Sequence, residues 1–455
     1  LLLAIVGFGW LNQGASIGRY ARMRDDVEGS HRVTISAWAR LSLAFLYRRS
    51  SDEELYYATA EAMQGKPFDR TLLLTARGPT PSEFARLPPP DGHFHAPYAE
   101  VALEYPPLVL PFILLPSLVT SSFESFARAF GVLMAACLVL AVALCIRVDP
   151  SATPAWTRER WWLASALFVA QGGLAIQRLD AVLALFLALS LWSAARQEPT
   201  LFGVAIGLSI GVKFLPALWL PPVLAVDRRV LGRSRAVMKI AAGLALGLVI
   251  GFGPMLLLSA RALPDLLAYH AARGLQVEST LGLVLNVIRA MAGHATASTL
   301  SFGSYNLGGA DADFAARLST PLMVALIGVW SWHLSRPRDL CPSHRTDALA
   351  VALLGGCVAV WLSGKVFSPQ YLTWAIPLVL ALSEKAGRRI IWLLIAAMGL
   401  TQLYHRGYYD YVADARFIGL LTLLIRQGVL VAVGALLWRR AANLGTIRQT
   451  SEALS

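Results

Sequence analysis

The sequence predicts an all-α, polytopic membrane protein, and three observations carry that prediction. Of its 455 residues, 56% are hydrophobic and only 15% charged, and the mean hydropathy is +0.56; an ordinary soluble domain is about 25% charged. Many windows of about 15–20 residues contain no charge, which is the length a helix needs to cross hydrocarbon. The basic residues, which give a net charge of +12, fall in short loops between those windows. Loops of that kind orient a membrane protein. Nucleic acid as a partner would ask instead for a basic face, so the lipid bilayer is the expected partner and nucleic acid is not.

A single membrane-embedded unit over 1–455 is expected, with about 11–13 membrane segments and extended loops at 48–105 and 259–318. Leu1–Ser16 and Val33–Tyr47 are apolar and short, and one or both cross; Leu1–Gly18 also reads as signal-like. Ser51–Tyr105 is the longest unbroken polar interval, opening on Asp52-Glu53-Glu54-Leu55-Tyr56-Tyr57 and closing on Glu104-Tyr105-Pro106-Pro107-Leu108. Leu55–Met63 predicts an amphipathic helix lying at the membrane interface. Pro106–Thr120, apolar and proline-punctuated, reads as a half-helix. Ala129–Ile146, Trp161–Ile176 and Ala181–Ala195 follow as spans, the last two flanking Arg178-Leu179-Asp180.

Leu201–Val226 carries Lys213 near its centre and then Pro216, Pro221 and Pro222, which predicts two short helices meeting near Lys213. Ile240–Leu258 is a span. Ser259–Leu318 is a second polar interval, broken by the apolar piece Leu281–Met291. Pro321–Leu334, Ala348–Leu362, Tyr371–Leu382, Ile390–Tyr404 and Phe417–Trp438 complete the spans. With the basic loops at 147–160, 227–239, 336–347 and 384–389 and the basic tail placed in the cytoplasm, the alternation holds if Leu201–Val226 is re-entrant. Asp52, Glu104, Arg178, Asp180, Lys213, His270, Arg273, Glu278, Lys365 and Gln370 then share the outer side. Ionisable groups gathered at one membrane face imply a common polar cavity.

Each constellation has a functional reading and a plain one. A carboxylate among Asp52, Glu53 and Glu54 can take a proton from a hydroxyl, or the three form a solvated acidic turn. In Glu104-Tyr105-Pro106-Pro107, the prolines hold Glu104 just outside the bilayer, or they only start a helix. Arg178 and Lys213 suit a phosphate, or pair with Asp180 to hold spans together. Tyr269-His270-Ala271-Ala272-Arg273-Gly274-Leu275-Gln276-Val277-Glu278 offers contacts for sugar or phosphate, or is an interfacial loop. Lys365 and Gln370 flank a proline turn, or Lys365 only snorkels. Asp91, His93 and His95 have metal-like spacing but read as a solvated loop. The cysteines, Cys137, Cys145, Cys341 and Cys357, form no CxxC pair, so neither a disulfide framework nor a zinc site is expected. A P-loop and a dinucleotide fingerprint are missing from the sequence.

Taken in order, Asp52-x-x-Leu55-Tyr56, Gly65-Lys66-Pro67-Phe68, Glu104-Tyr105-Pro106-Pro107-Leu108, Arg178-Leu179-Asp180, Gly207 to Lys213 leading to Pro216, Arg273-Gly274-Leu275-Gln276-Val277-Glu278-Ser279 and Phe367-Ser368-Pro369-Gln370-Tyr371 resemble the GT-C superfamily of polytopic glycosyltransferases. Within it the chain is similar to the bacterial polyprenyl-phosphate-mannose-dependent alpha-mannosyltransferases, glycosyltransferase family 87. The resemblance implies a GT-C-type fold and a multi-pass protein of the cytoplasmic membrane whose site faces the extracytoplasmic side. It implies transfer of a hexose, mannose foremost, from a polyprenyl-phosphate sugar donor to a glycolipid or glycan acceptor with inversion. Asp52 is the position matching the catalytic base. Glu104, Tyr105, Arg178, Asp180, Lys213, His270, Arg273, Gln276, Glu278, Lys365 and Gln370 are the expected substrate-binding residues, with Glu104 or Glu278 as an alternative base. No cofactor is assigned, and a divalent cation at the phosphate is left open. Phe68, where relatives often carry tyrosine, and the long loop Asp69–Pro97 depart from the family and bear on the acceptor. Two other readings are a lipid-linked sugar flippase, which predicts ionisable groups near the midplane, and a non-catalytic scaffold for envelope assembly, which predicts no sugar transfer.

Overall fold

The computed structural model describes residues 51–67, 91–100, 103–148, 152–226, 234–294, 296, 298–336 and 345–444. The expected spans before Ser51, Phe68 with most of the loop after it, Cys341 and the tail beyond Leu444 lie outside the described residues. Five described helices are long and apolar enough to cross a membrane: α3 (Phe123–Ile146), α8 (Ser234–Leu258), α11 (Ala310–Leu334), α12 (Arg345–Ser363) and α16 (Phe417–Asn443). The protein is a multi-pass, essentially all-α membrane protein, as its composition predicts. The remaining helices are α1 (Ser51–Ala62), α2 (Leu110–Leu118), α4 (Pro154–Gln171), α5 (Asp180–Ala195), α6 (Pro199–Val212), α7 (Leu220–Val226), α9 (Ala262–Ala272), α10 (Thr280–Met291), α13 (Ala375–Val379), α14 (Glu384–Gly407) and α15 (Tyr409–Ala413).

α12 is the central helix. It is buried almost all round, as its unbroken apolar composition requires. Gly355 and Gly356 on it leave room for the indoles of Trp330 and Trp219, and the Trp330 indole donates to the Ala352 carbonyl. α8 and α11 carry exposed apolar side chains, among them Leu246, Val249, Leu257, Val324 and Val329. Hydrocarbon is the solvent in which such faces are stable.

The break at Lys213 is the feature that shapes the site. α6 stops at Val212, and Lys213 takes extended backbone (φ −150°, ψ 148°). Pro216 lacks an N–H and bars continuation, so the chain resumes as a 3-10 turn, Leu215–Trp219, and then α7. α6 is locked to α8 by glycines four residues apart, Gly203, Gly207 and Gly211 facing Gly243, Gly247 and Gly251. A Cβ on Gly207 would fall 2.7 Å from the Leu244 carbonyl oxygen and 2.9 Å from the Gly247 Cα. The pairing runs in the same direction along both helices. They are therefore parallel, and the chain between them returns to the end from which α6 started, as a re-entrant pair requires. Small residues at this spacing let membrane helices approach backbone to backbone. Gly207→Leu is expected to cost about 1–3 kcal/mol through overpacking and to lower the thermal midpoint in detergent. Gly399→Leu, at a site where a Cβ meets nothing within 4 Å, is expected to leave it unchanged.

The two ends of the bundle differ. At one end several arginines are tied down: Arg160 donates to the carbonyls of Ile146 and Leu382, Arg440 lies 2.7 Å from Asp347, and Arg388 lies 2.6 Å from Glu159. At the other end α9, α10 and α15 surround a small antiparallel sheet of β1 (Leu275–Gln276), β2 (Ser298–Ser301) and β3 (Ser304–Leu307) in the order β1-β3-β2, with Gln276 opposite Asn306.

Several boundaries differ from the sequence expectation. α1 is not an interfacial amphipathic helix: Glu53, Tyr56, Thr59, Ala60 and Glu61 are all buried, because α1 packs between α2 and α3. The expected span Trp161–Ile176 is shifted, since α4 starts at Pro154 and stops at Gly172, whose φ of +56° favours glycine. Tyr371–Leu382 is not one continuous helix. Pro369 starts a 3-10 turn through Trp374 and only α13 follows, entirely buried. α11 begins at Ala310 rather than Pro321. Asp311 and Asp313 sit in its first turn, where carboxylates suit the helix dipole, and Pro321 lies inside the helix.

Candidate active site

Three carboxylates line the loop-rich end. Asp52, in the first turn of α1, has Oδ2 2.9 Å from Arg178 Nε, and its side chain is 21% exposed. Arg178 lies in the link between α4 and α5. Asp180, in the first turn of α5 and 1% exposed, accepts at Oδ1 from Lys213 Nζ at 2.7 Å and from the Trp374 indole at 2.6 Å. Its Oδ2 has no hydrogen-bond partner among the described residues. Glu104, just before the Pro106-Pro107 turn, accepts at Oε2 from the Tyr269 hydroxyl at 2.6 Å.

Aromatic rings hold these groups in register. In a 3-10 turn residues i and i+3 share a face, so Tyr371 and Trp374 stack with centroids 4.4 Å apart. The Lys213 ammonium sits over both rings, 4.5 and 5.3 Å from the centroids, a placement that a cation and a ring quadrupole favour. Tyr56 donates to the Tyr105 hydroxyl at 3.1 Å, and Tyr98 to the Tyr105 carbonyl at 2.6 Å. His270 lies edge-on to both Phe214 and Tyr269, tying α9 to the Lys213 break. Burial, with Arg273 beside it, pulls the His270 pKa down to about 4, so its imidazole is neutral at working pH.

Carboxylates and cations alternate here: Asp52 faces Arg178, Asp180 faces Lys213, and Glu104 accepts from the Tyr269 hydroxyl. Arg273 donates to Ser304 Oγ at 3.4 Å, lies near Tyr269, Tyr371 and Glu104, and its Nε has no hydrogen-bond partner among the described residues. The Lys365 ammonium donates to the Ala271 carbonyl, and burial and Arg273 lower its pKa. Lysine and arginine side chains gathered at one place suit a phosphate. A divalent cation would find no preformed ligand set: no group of three or more histidine, cysteine, aspartate or glutamate side chains converges among the described residues. Asp91 and His95 pair at 2.9 Å away from these contacts.

The structure thus brings together Asp52, Glu104, Tyr105, Arg178, Asp180, Lys213, His270, Arg273 and Lys365. Gln370 lies buried on the same turn as Tyr371 and Trp374. Gln276 and Glu278 fall in an adjoining cluster, fully buried with Arg426, Tyr404 and Tyr409. Sequence reasoning passed over Trp374 and Arg426. A proline at a helix start followed by aromatics three apart pointed to the first. A charge in the middle of the Phe417–Trp438 span pointed to the second.

Comparison with protein families decides what this constellation belongs to. The model of glycosyltransferase family 87 matches residues 103–369, more than half of the chain and all of the segments from Glu104 to Lys365 that line the recess. The chain belongs to glycosyltransferase family 87. No curated protein matches it. As a family 87 member it is a membrane glycosyltransferase, and the recess between α1, α5, α6, α9 and the Pro369–Trp374 turn is its candidate active site. Asp52 precedes the matched segment, and Arg178, which lies within that segment, holds it at the recess.

Proposed function

We propose that the protein moves a hexose, mannose foremost, from a polyprenyl-phosphate donor to a hydroxyl of a cell-envelope glycolipid or glycan, on the extracytoplasmic face of the cytoplasmic membrane. The observation that carries this reading is the facing of a half-open carboxylate, Asp52, and a group of cations, Lys213, Arg273 and Lys365, on the same end of the bundle. The acceptor hydroxyl attacks the anomeric carbon while its proton passes to the Asp52 carboxylate. The bond from that carbon to the phosphate oxygen breaks, and its electron pair leaves with polyprenyl phosphate, which gains one negative charge. Attack opposite the leaving group inverts the anomeric centre.

Arg273, Lys213 and Lys365 meet the growing phosphate charge in a water-poor recess, where such contacts are strongest. Arg178 orients the base, Asp180 holds the Lys213 ammonium in place, and Glu104 accepts from sugar hydroxyls. The grouping of Arg160, Arg388 and Arg440 at the opposite end supports the orientation. The protein reconstituted in liposomes with an envelope lipid extract is expected to transfer label from polyprenyl-phosphate mannose. Transfer from a nucleotide sugar alone would overturn the donor assignment, and a preference for polyprenyl-phosphate glucose would overturn the sugar.

A further inference from the structure

Glu278 lies in the turn between β1 and α10, with no exposed surface. Its Oε2 accepts from the Gln276 amide at 2.6 Å. Gln276 in turn holds the segment before the aromatic turn at two points. Its side-chain oxygen accepts from the Phe367 N–H at 2.9 Å, and its own N–H donates to the Lys365 carbonyl at 2.9 Å. Behind them Arg426, fully buried in α16, donates to the Glu278 carbonyl and to the Tyr404 hydroxyl, and its guanidinium lies 4.5 Å from the Phe367 ring centroid. The held segment runs directly into Pro369–Trp374, whose rings flank Lys213 and whose indole bonds Asp180.

We infer that Glu278 is a positioning residue for the donor phosphate: through Gln276 it sets the Lys365–Trp374 turn, and with it the place of Lys365 and the aromatic seat of Lys213, without touching substrate itself. This rests on the proposed polyprenyl-phosphate reading. A glutamate that contacted sugar would need an opening to the recess, and Glu278 has none. Its acceptor bond to a neutral amide is a charge-assisted one, about twice as strong as a neutral pair, so the hold on the turn depends on the glutamate being ionised.

The groups that face Glu278 are Arg426 and Gln427 from α16, Tyr404 from α14, Tyr409 from α15 and Gln276 from β1. Burial pushes its pKa up to about 7 against the pull of Arg426. The hold is therefore present above about pH 7 and is lost as pH falls through it. The phosphodiester of the donor does not titrate there, and His270 titrates near pH 4.

In the wild-type protein, the KM for polyprenyl-phosphate mannose is expected to rise about tenfold, the worth of one hydrogen bond to a charged group, between pH 8 and pH 6, with the acceptor KM unchanged. Glu278→Gln is expected to show the raised donor KM at every pH in that range. Gln276→Leu is expected to do the same, and the double variant to be no worse than either, because the two act as one strut. A donor KM in the wild type that is flat across pH 6–8 overturns the inference, and this holds even if neither variant folds. So does a Glu278→Gln protein that loses thermal stability and active fraction while keeping the wild-type donor KM and pH profile, the mark of a merely structural residue. No transfer by the wild type from any polyprenyl-phosphate sugar removes the underlying reading as well. Transfer with a pH-independent donor KM removes only the role of Glu278.

Discussion

Asp52→Asn is expected to lower kcat for sugar transfer about 10³-fold, within the range of about 10²–10⁴ that a positioned general base contributes. The asparagine is isosteric and its oxygen still faces Arg178, so the recess keeps its shape. What is lost is the capacity to take the acceptor proton. Donor KM, which the proposed mechanism assigns to Arg273, Lys213 and Lys365, is expected to stay within about twofold, since only an interaction made in the transition state has been removed. Single-turnover rates with labelled donor give the split directly. A wild-type rate, or a loss expressed wholly in donor KM, would move the base elsewhere, with Glu104 next to be tested.

The second large effect concerns Lys213 and Asp180. Asp180 is 1% exposed and Lys213 12%, so each is costly to leave alone. Lys213→Met strands the carboxylate with a single indole donor, and breaking such a pair costs about 3–5 kcal/mol. The expected result is poor yield and a thermal midpoint well below wild type. The double variant Lys213→Met with Asp180→Leu replaces the pair by apolar groups of similar volume, which is often close to neutral. It is expected to regain stability and to remain inactive, because the seat over Tyr371 and Trp374 then holds no cation. Transfer by the double variant would show the pair to be a fastening between α5 and α6 and nothing more. A stable Lys213→Met single variant would show the pair to be solvated.

Much of the fold was legible because membrane helices announce themselves by length and breaks by proline. Lys213 followed by Pro216 predicts the interruption, and Pro106-Pro107 the half-helix that the structure shows at Leu110–Leu118. The start of α11 was not legible, since Asp311 and Asp313 read as loop. They belong to a helix N-terminus, where Arg289 reaches Asp311 from α10. Tyr371–Leu382 has the composition of a span, yet Pro369 starts a 3-10 turn and the buried helix after it is five residues long.

In the site, the residue types were legible and the pairings were not. Nothing local says that Asp52 meets Arg178, or Glu104 meets Tyr269, because α1, α5 and α9 bring them together from distant parts of the chain. Burial divides the acidic residues in a way that sequence does not express. Asp52 keeps an exposed edge, whereas Glu278 has none and is taken up by Gln276 and Arg426.

The parallel glycine contact between α6 and α8 bears on which parts of the molecule can move during turnover. Backbones that touch at Gly207 and Gly247 leave no slack for one helix to slide along the other. Lys213, at the top of α6, is therefore a fixed post. On the opposite wall the β2–β3 hairpin leans on Tyr269 through Phe302, and Arg273 reaches Ser304 across a long bond. One wall of the site is thus anchored backbone to backbone, and the other meets Tyr269 and Arg273 through side chains.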